Sequence, residues 1–64
     1  MNRDELVARV LELKHEIEEL ERDGREYLAL QHPSPFQRQI QDQRIVRLEE
    51  IKREIEKLAA RHLQ

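Results

Sequence analysis

The chain has 64 residues, of which 41% are charged, 38% hydrophobic and 3% aromatic, and its formal net charge is −2 at pH 7. This length and composition predict one small domain built from long helices. The absence of cysteine excludes disulfides, thiolate catalysis and sulfur-ligated zinc, and we expect a cytoplasmic location. We expect no signal peptide and no membrane span, because no apolar run is long enough.

Charge is divided unevenly along the chain. Residues 1–31 hold nine acidic and five basic side chains, whereas residues 32–64 hold five acidic and seven basic ones. The first half is therefore negatively charged and the second positively charged, which favours antiparallel pairing of the two halves. A protein that mainly coats phosphate backbones is normally basic overall, so the balance disfavours nucleic acid as the partner.

The first predicted helix covers residues 3–31. Asn2, followed three residues later by Glu5, has the spacing of a helix N-cap. Apolar side chains then recur at alternating intervals of four and three, which is the pattern of a heptad seam. The seam residues are Leu6, Val10, Leu13, Ile17, Leu20 and Tyr27.

Gly24, the only glycine, falls on this seam between Leu20 and Tyr27. We expect the helix to continue through it, because Tyr27 resumes the repeat in phase. The alternative is that Asp23 and Gly24 cap a shorter helix. In the continuous helix, Gly24 is predicted to form a packing notch that accommodates the long side chain of Arg44.

A turn over residues 32–34 separates the helices. Pro33 disfavours helix at His32, and Ser34 followed by Pro35 is the pattern of an N-cap with proline at the first helical position. The second predicted helix covers residues 35–62. Its seam residues are Phe36, Ile40, Arg44, Leu48, Ile51, Ile55, Leu58 and His62.

Helices of similar length with a short connection predict an all-α antiparallel two-helix hairpin of coiled-coil type in a single domain, residues 1–64. Folding the chain at residue 34 pairs positions whose numbers add to about 68. In that register Leu13 lies opposite Ile55, and Gly24 lies opposite Arg44.

Several apolar residues fall outside the seam and widen the apolar stripe. Such a stripe indicates burial against more than one neighbour, so we predict that two hairpins dimerise into a four-helix bundle. The residues assigned to this second apolar face are Val7, Leu11, Leu28, Ile45, Val46 and Leu63.

No arrangement of residues predicts catalysis. Glu12 and His15 have the Glu-x-x-His spacing of di-iron ligands, but both occupy outward positions of the heptad, and helix 2 offers no second pair. We therefore expect no enzyme activity, no metal ligands and no cofactor.

The start of helix 2 is rich in arginine and glutamine and lies near Tyr27. We interpret the chain as a non-catalytic interaction or regulatory module whose partners are a second copy and another protein. The predicted partner-binding residues are Tyr27, Phe36, Arg38, Gln41, Arg44 and Arg47. The alternatives are an RNA- or DNA-binding hairpin dimer that uses the same arginines and glutamines, and a small structural subunit of a larger assembly.

Overall fold

Two helices account for most of the chain. The computed structural model describes the backbone of residues 2–63 and the side chains of residues 2–61. Helix α1 (Arg3–Leu28) and helix α2 (Pro35–Leu63) pack against each other and are joined by residues 29–34. They form a rod whose principal extents are 47 × 15 × 14 Å. The predicted all-α hairpin is confirmed, whereas its dimerisation stays a prediction.

Both helices begin at side-chain caps. The Asn2 Oδ1 atom accepts a hydrogen bond of 2.8 Å from the backbone N–H of Glu5. At α2 the bonding is reciprocal. The N–H of Gln37 donates to Ser34 Oγ at 3.1 Å, and the N–H of Ser34 donates to Gln37 Oε1 at 2.8 Å. These contacts satisfy backbone donors that have no partner inside the helix.

Helix α1 ends three residues before the predicted end at residue 31. The N–H of Ala29 is shared between the carbonyl oxygens of Arg25 and Glu26, and the N–H of Leu30 bonds to the carbonyl of Tyr27 at 3.0 Å. The two i to i−3 bonds, to Glu26 and to Tyr27, tighten the last turn where the helix ends. Pro33 then restricts the residue before it to an extended backbone.

Helix α1 continues through Gly24 with no positive φ angle at the glycine. The predicted contact of Gly24 with Arg44 is corrected. A β-carbon placed on Gly24 would meet the Gln41 Nε2 atom at 3.6 Å, with no closer contact to Arg44. Arg44 instead donates from Nη1 to Gln41 Oε1 at 3.1 Å. Gln41 therefore occupies the space beside Gly24 that was assigned to Arg44.

Among residues 2–61, whose side chains are described, the buried core is small and consists of Leu13, Ile51 and Leu58. Partly buried side chains from both helices surround it, namely Leu6, Val10, Ile17, Leu20 and Ile55. All of these residues belong to the predicted seams. The side chain of His62, which was predicted to end the second seam, lies outside the described residues.

The register between the helices differs from the predicted one. Arg9 bonds to Glu54 and Glu16 bonds to Arg47, whereas the predicted register sets positions 9 and 16 opposite positions 59 and 52. Both contacts are displaced in the same direction by five residues (59 to 54 and 52 to 47), which is about one and a half turns of helix. The early end of α1 explains the direction, because it moves the middle of the connection toward the N-terminus.

Candidate functional site

One flank of the hairpin carries two arginine–glutamate pairs that join the helices. Arg9 donates to Glu54 through Nε at 2.6 Å and Nη2 at 3.0 Å. Arg47 donates to Glu16 through the same two atoms, at 2.5 and 3.0 Å. Each pair is bidentate and only partly exposed, which fixes the geometry more firmly than a single surface contact does. We call these four residues the ion-pair flank.

The ion pairs shift the protonation equilibria of their members. Hydrogen bonds from Arg47 hold the pKa of the Glu16 carboxyl below its ordinary value, and those from Arg9 do the same for Glu54. The carboxylates raise the pKa of both arginines in return. All four groups therefore carry their charges at neutral pH, and the contacts between the helices are charge-assisted.

An internal repeat underlies the two ion pairs. Residues 9–20 and 47–58 are identical at seven of twelve aligned positions, an offset of 38 residues. Arg9 also contacts Glu12 at 3.2 Å, and Arg47 contacts Glu50, its equivalent, at 3.3 Å. The two fully buried side chains, Leu13 and Ile51, are equivalents as well. The hairpin thus has an approximate internal two-fold symmetry.

The repeat is the sequence signal that would have identified the ion-pair flank. The predicted partner-binding set included Arg47, but the structure places this guanidinium between Glu16 and Glu50. Arg47 therefore lies on the ion-pair flank, and its part in partner binding stays a prediction. Arg9, Glu16 and Glu54 were not identified as a site, because the predicted register between the helices was displaced by five residues.

An open cleft of about 230 Å³ lies near the bend. Asp23 is seven residues after Glu16 and Ile40 is seven residues before Arg47, so the cleft opens on the same side as the ion-pair flank. Its walls combine acidic, basic, aromatic and aliphatic side chains. We call it the bend cleft, and its lining residues are Asp23, Glu26, Tyr27, Leu30, Gln37, Ile40 and Arg44.

The structure brings part of the predicted partner-binding set together. Tyr27 and Arg44 share the bend cleft, and Gln41 is bonded to Arg44. Phe36 is 69% exposed and Arg38 is also exposed, both in the first turn of α2. Five of the six residues therefore lie around the bend, and Arg47 does not.

The residues assigned to a second apolar face are exposed wherever their side chains are described. The most exposed of them is Leu28, at 78%. Val7 and Ile45, which are equivalent positions of the repeat, are exposed to nearly the same extent, 50% and 48%. Leu11 and Val46 are more than half exposed. An apolar groove of about 310 Å³ accompanies Val7 and Leu11 near the start of α1. Leu63 lies outside the residues whose side chains are described.

The residues with metal-ligand spacing make other contacts. Glu12 bonds to Arg9, and the His15 Nε2 atom lies 3.0 Å from Glu19 Oε1. Within residues 2–61 there is no group of three or more histidine, aspartate or glutamate side chains placed to hold a metal ion. Neither helix, over its described length, is apolar enough to cross a membrane.

Comparisons with known proteins return no relative. No family model, no curated protein and no solved structure matches the chain.

Proposed function

We propose that the chain is a non-catalytic protein-interaction module that acts as a homodimer of helical hairpins, a four-helix bundle. The supporting observation is the imbalance between buried and exposed apolar side chains. Where side chains are described, three residues are buried, while the exposed large apolar residues are Val7, Leu11, Leu28, Leu30, Phe36, Ile45 and Val46. Burying one such side chain fully is worth about 1.5–3 kcal/mol, and a single core in a chain this short rarely supplies more than about 3–5 kcal/mol.

Dimerisation through the exposed apolar residues that do not line the bend cleft leaves the cleft open to a further partner, and these residues are Val7, Leu11, Leu28, Ile45 and Val46. Tyr27 and Arg44 are of the residue types enriched at the centres of protein interfaces. The acidic groups of Asp23 and Glu26 stand beside them and give the cleft mixed polarity. A protein segment that offers an apolar side chain together with a charged one would match this surface.

The internal contacts favour a protein partner over RNA or DNA. Arg47 is held by Glu16 and Glu50, and the oxygen of Gln41 is occupied by Arg44, so fewer of these side chains are free to contact phosphates or bases. The net charge of −2 acts in the same direction.

Sedimentation equilibrium across a wide concentration range, with helicity measured on the same samples, tests the dimer. We expect a helical dimer at high concentration. At low concentration, where the dimer dissociates, the monomer should be less helical. A fully helical monomer at every concentration would contradict the proposal.

The bend cleft is tested by affinity capture from an extract of the source organism. The variant Tyr27→Ala/Arg44→Ala should lose captured protein, whereas Gln39→Ala, an exposed change elsewhere on α2, should not. Unchanged capture by the double variant would contradict this surface. Nuclease-sensitive capture that falls steeply with salt would indicate nucleic acid instead.

A further inference from the structure

The flank opposite the ion pairs carries a regular row of exposed residues. A step of two residues turns an α-helix by about 200°, so the residues two positions before Arg9 and Glu16 lie on the other side of α1. These are Val7 and Lys14. Heptad steps continue the row to Glu21 and Leu28. All four residues are exposed, and we call them the α1 row.

The α1 row is complementary to itself when it is read in the reverse direction. Placed antiparallel to a second copy, Val7 lies opposite Leu28 of that copy and Lys14 lies opposite Glu21. The two outer contacts are apolar and the two inner ones join opposite charges. Lys14 and Glu21 have no ion-pair partner among the described residues, so both are free to make this contact.

The register of the hairpin places two exposed apolar residues of α2 level with the centre of the α1 row. The middle of the row lies between positions 17 and 18. Because Arg9 bonds to Glu54 and Arg47 to Glu16, positions 17 and 18 are level with positions 46 and 45 across the hairpin. These are Val46 and Ile45, the two exposed apolar residues in the middle of α2. Ile45 precedes Arg47 by two residues and so lies on the same flank as the α1 row.

We propose that two copies pack antiparallel through this flank, with their bends at opposite ends and the two-fold axis passing beside Ile45. This arrangement rests on the homodimer proposed above and specifies its contacts. Val7 of each copy meets Leu28 of the other, Lys14 meets Glu21, and Ile45 meets Ile45. The same packing of α1 on α1 places the apolar groove beside Val7 and Leu11 at the bend end of the second copy.

The opposite arrangement, with both bends at the same end, fits the charges poorly. A two-fold axis along the rod would set α1 on α2 of the second copy. Lys14 would then approach Lys52 and Leu28 would approach Arg38, which are the corresponding exposed residues of α2. Like charges and an apolar residue against a guanidinium replace the complementary contacts. The antiparallel dimer also sets Arg38 opposite Lys52 where α2 packs on α2 about Ile45. There the Lys14–Glu21 pairs offset the like charges, whereas the opposite arrangement has only the like-charge contact of Lys14 with Lys52, so the charge pattern favours the antiparallel dimer.

Disulfide trapping tests the arrangement directly, because the chain has no cysteine of its own. An equal mixture of Val7→Cys and Leu28→Cys chains, held in a glutathione buffer, should give the mixed covalent dimer. Ile45→Cys alone should also give a covalent dimer. Val7→Cys alone should not, since its two copies would be about 32 Å apart along the rod and a disulfide needs Cα atoms within about 7 Å. Glu19→Cys, on the outward face, is the matched control and should remain unlinked.

Exchange of charges gives a second readout. Lys14→Glu and Glu21→Lys should each weaken the dimer about three- to thirty-fold, because each change disrupts two inter-copy pairs. The double variant Lys14→Glu/Glu21→Lys should recover most of the wild-type dissociation constant. Contacts within one chain would not produce this recovery, since Lys14 and Glu21 are seven residues apart on the same helix and do not contact each other.

The outcomes separate the arrangement from the dimer itself. A sedimenting dimer with the mixed cross-link and charge recovery supports the proposal. A sedimenting dimer in which Val7→Cys links to itself, or in which the mixture gives no covalent dimer, overturns the antiparallel arrangement and leaves the homodimer standing. A monomer at all concentrations overturns both.

Discussion

Arg9 and Arg47 lie 38 residues apart and make the same three contacts. Each guanidinium forms a bidentate pair with a glutamate of the other helix and a single contact with the glutamate three residues ahead on its own helix. Their side chains are 38% and 39% exposed, so the environments match as well. The two helices are therefore held by equivalent contacts placed symmetrically about Leu13 and Ile51.

The ion pairs predict how stability depends on pH. Because Arg47 and Arg9 lower the pKa of Glu16 and Glu54 in the folded state, the stability they add is present above the ordinary value of 4.5 and is lost as pH falls through the lower, folded values. The melting temperature of wild type should exceed that of Glu16→Gln/Glu54→Gln at neutral pH, and the difference should vanish in acid. Glu49→Gln is the control, because Glu49 is exposed and forms no ion pair with another described residue. A difference that stays constant from neutral to acid pH would contradict the role of the pairs.

The space beside Gly24 predicts a stabilising substitution. A β-carbon there would make only an ordinary van der Waals contact with Gln41, and the backbone is helical. Gly24→Ala should raise the free energy of unfolding by about 0.5–1 kcal/mol, because glycine lowers helix stability. The reverse change, Ala8→Gly at an exposed position of α1, should lower it by a similar amount. Thermal unfolding measures both, and a destabilised Gly24→Ala would show that Gln41 needs the open space.

The reciprocal cap at the start of α2 predicts the effect of its removal. Ser34→Ala leaves the N–H of Gln37 without its acceptor and should destabilise the protein by about 0.5–2 kcal/mol. Gln37→Ala should cost less, because only the outer donor at Ser34 loses its partner. Gln39→Ala, two residues further along the helix, is the control. Denaturant unfolding measures the loss in free energy of unfolding for the three variants. The largest loss in Gln39→Ala would contradict the predicted order.

The internal two-fold symmetry predicts equal consequences at its centre. Leu13 and Ile51 are the two fully buried side chains and occupy equivalent positions. Leu13→Ala and Ile51→Ala should each lower the free energy of unfolding by about 2–5 kcal/mol. In a chain this small, either loss should reduce helicity markedly at 25 °C. Circular dichroism with denaturant titration tests this, and a large effect at only one of the two positions would contradict their equivalence.

The sequence predicted those features that depend on neighbouring residues. Both helix starts follow from the residues around Asn2 and Ser34, and the heptad spacing identified the side chains that form the core. The end of α1 was harder to predict, because neither Leu28 nor Ala29 is of a residue type that commonly ends a helix. The helix ends instead through the hydrogen bonds of its last turn. That error displaced the register between the helices.

The displaced register accounts for the errors in the candidate site. The shift brings residues nearer the start of α2 level with Gly24, so Gln41 takes the place that was assigned to Arg44. The same shift hid the pairing of Arg47 with Glu16. Comparison of the two helices with each other would have corrected both assignments, because the repeated arginine and glutamates can pair symmetrically in only a few registers.

The repeat also means that the order of the helices along the chain contributes little to the fold. Each helix contributes an arginine, a buried aliphatic residue and a glutamate at equivalent positions. The contacts between the helices therefore do not require that either one comes first in the chain. A circularly permuted chain, cut in the segment 29–34 and rejoined between the original termini, should therefore retain all four cross-helix hydrogen bonds of the ion-pair flank. The hairpin connection would then act as a tether that raises the local concentration of two matching helices, and not as the element that determines how they match.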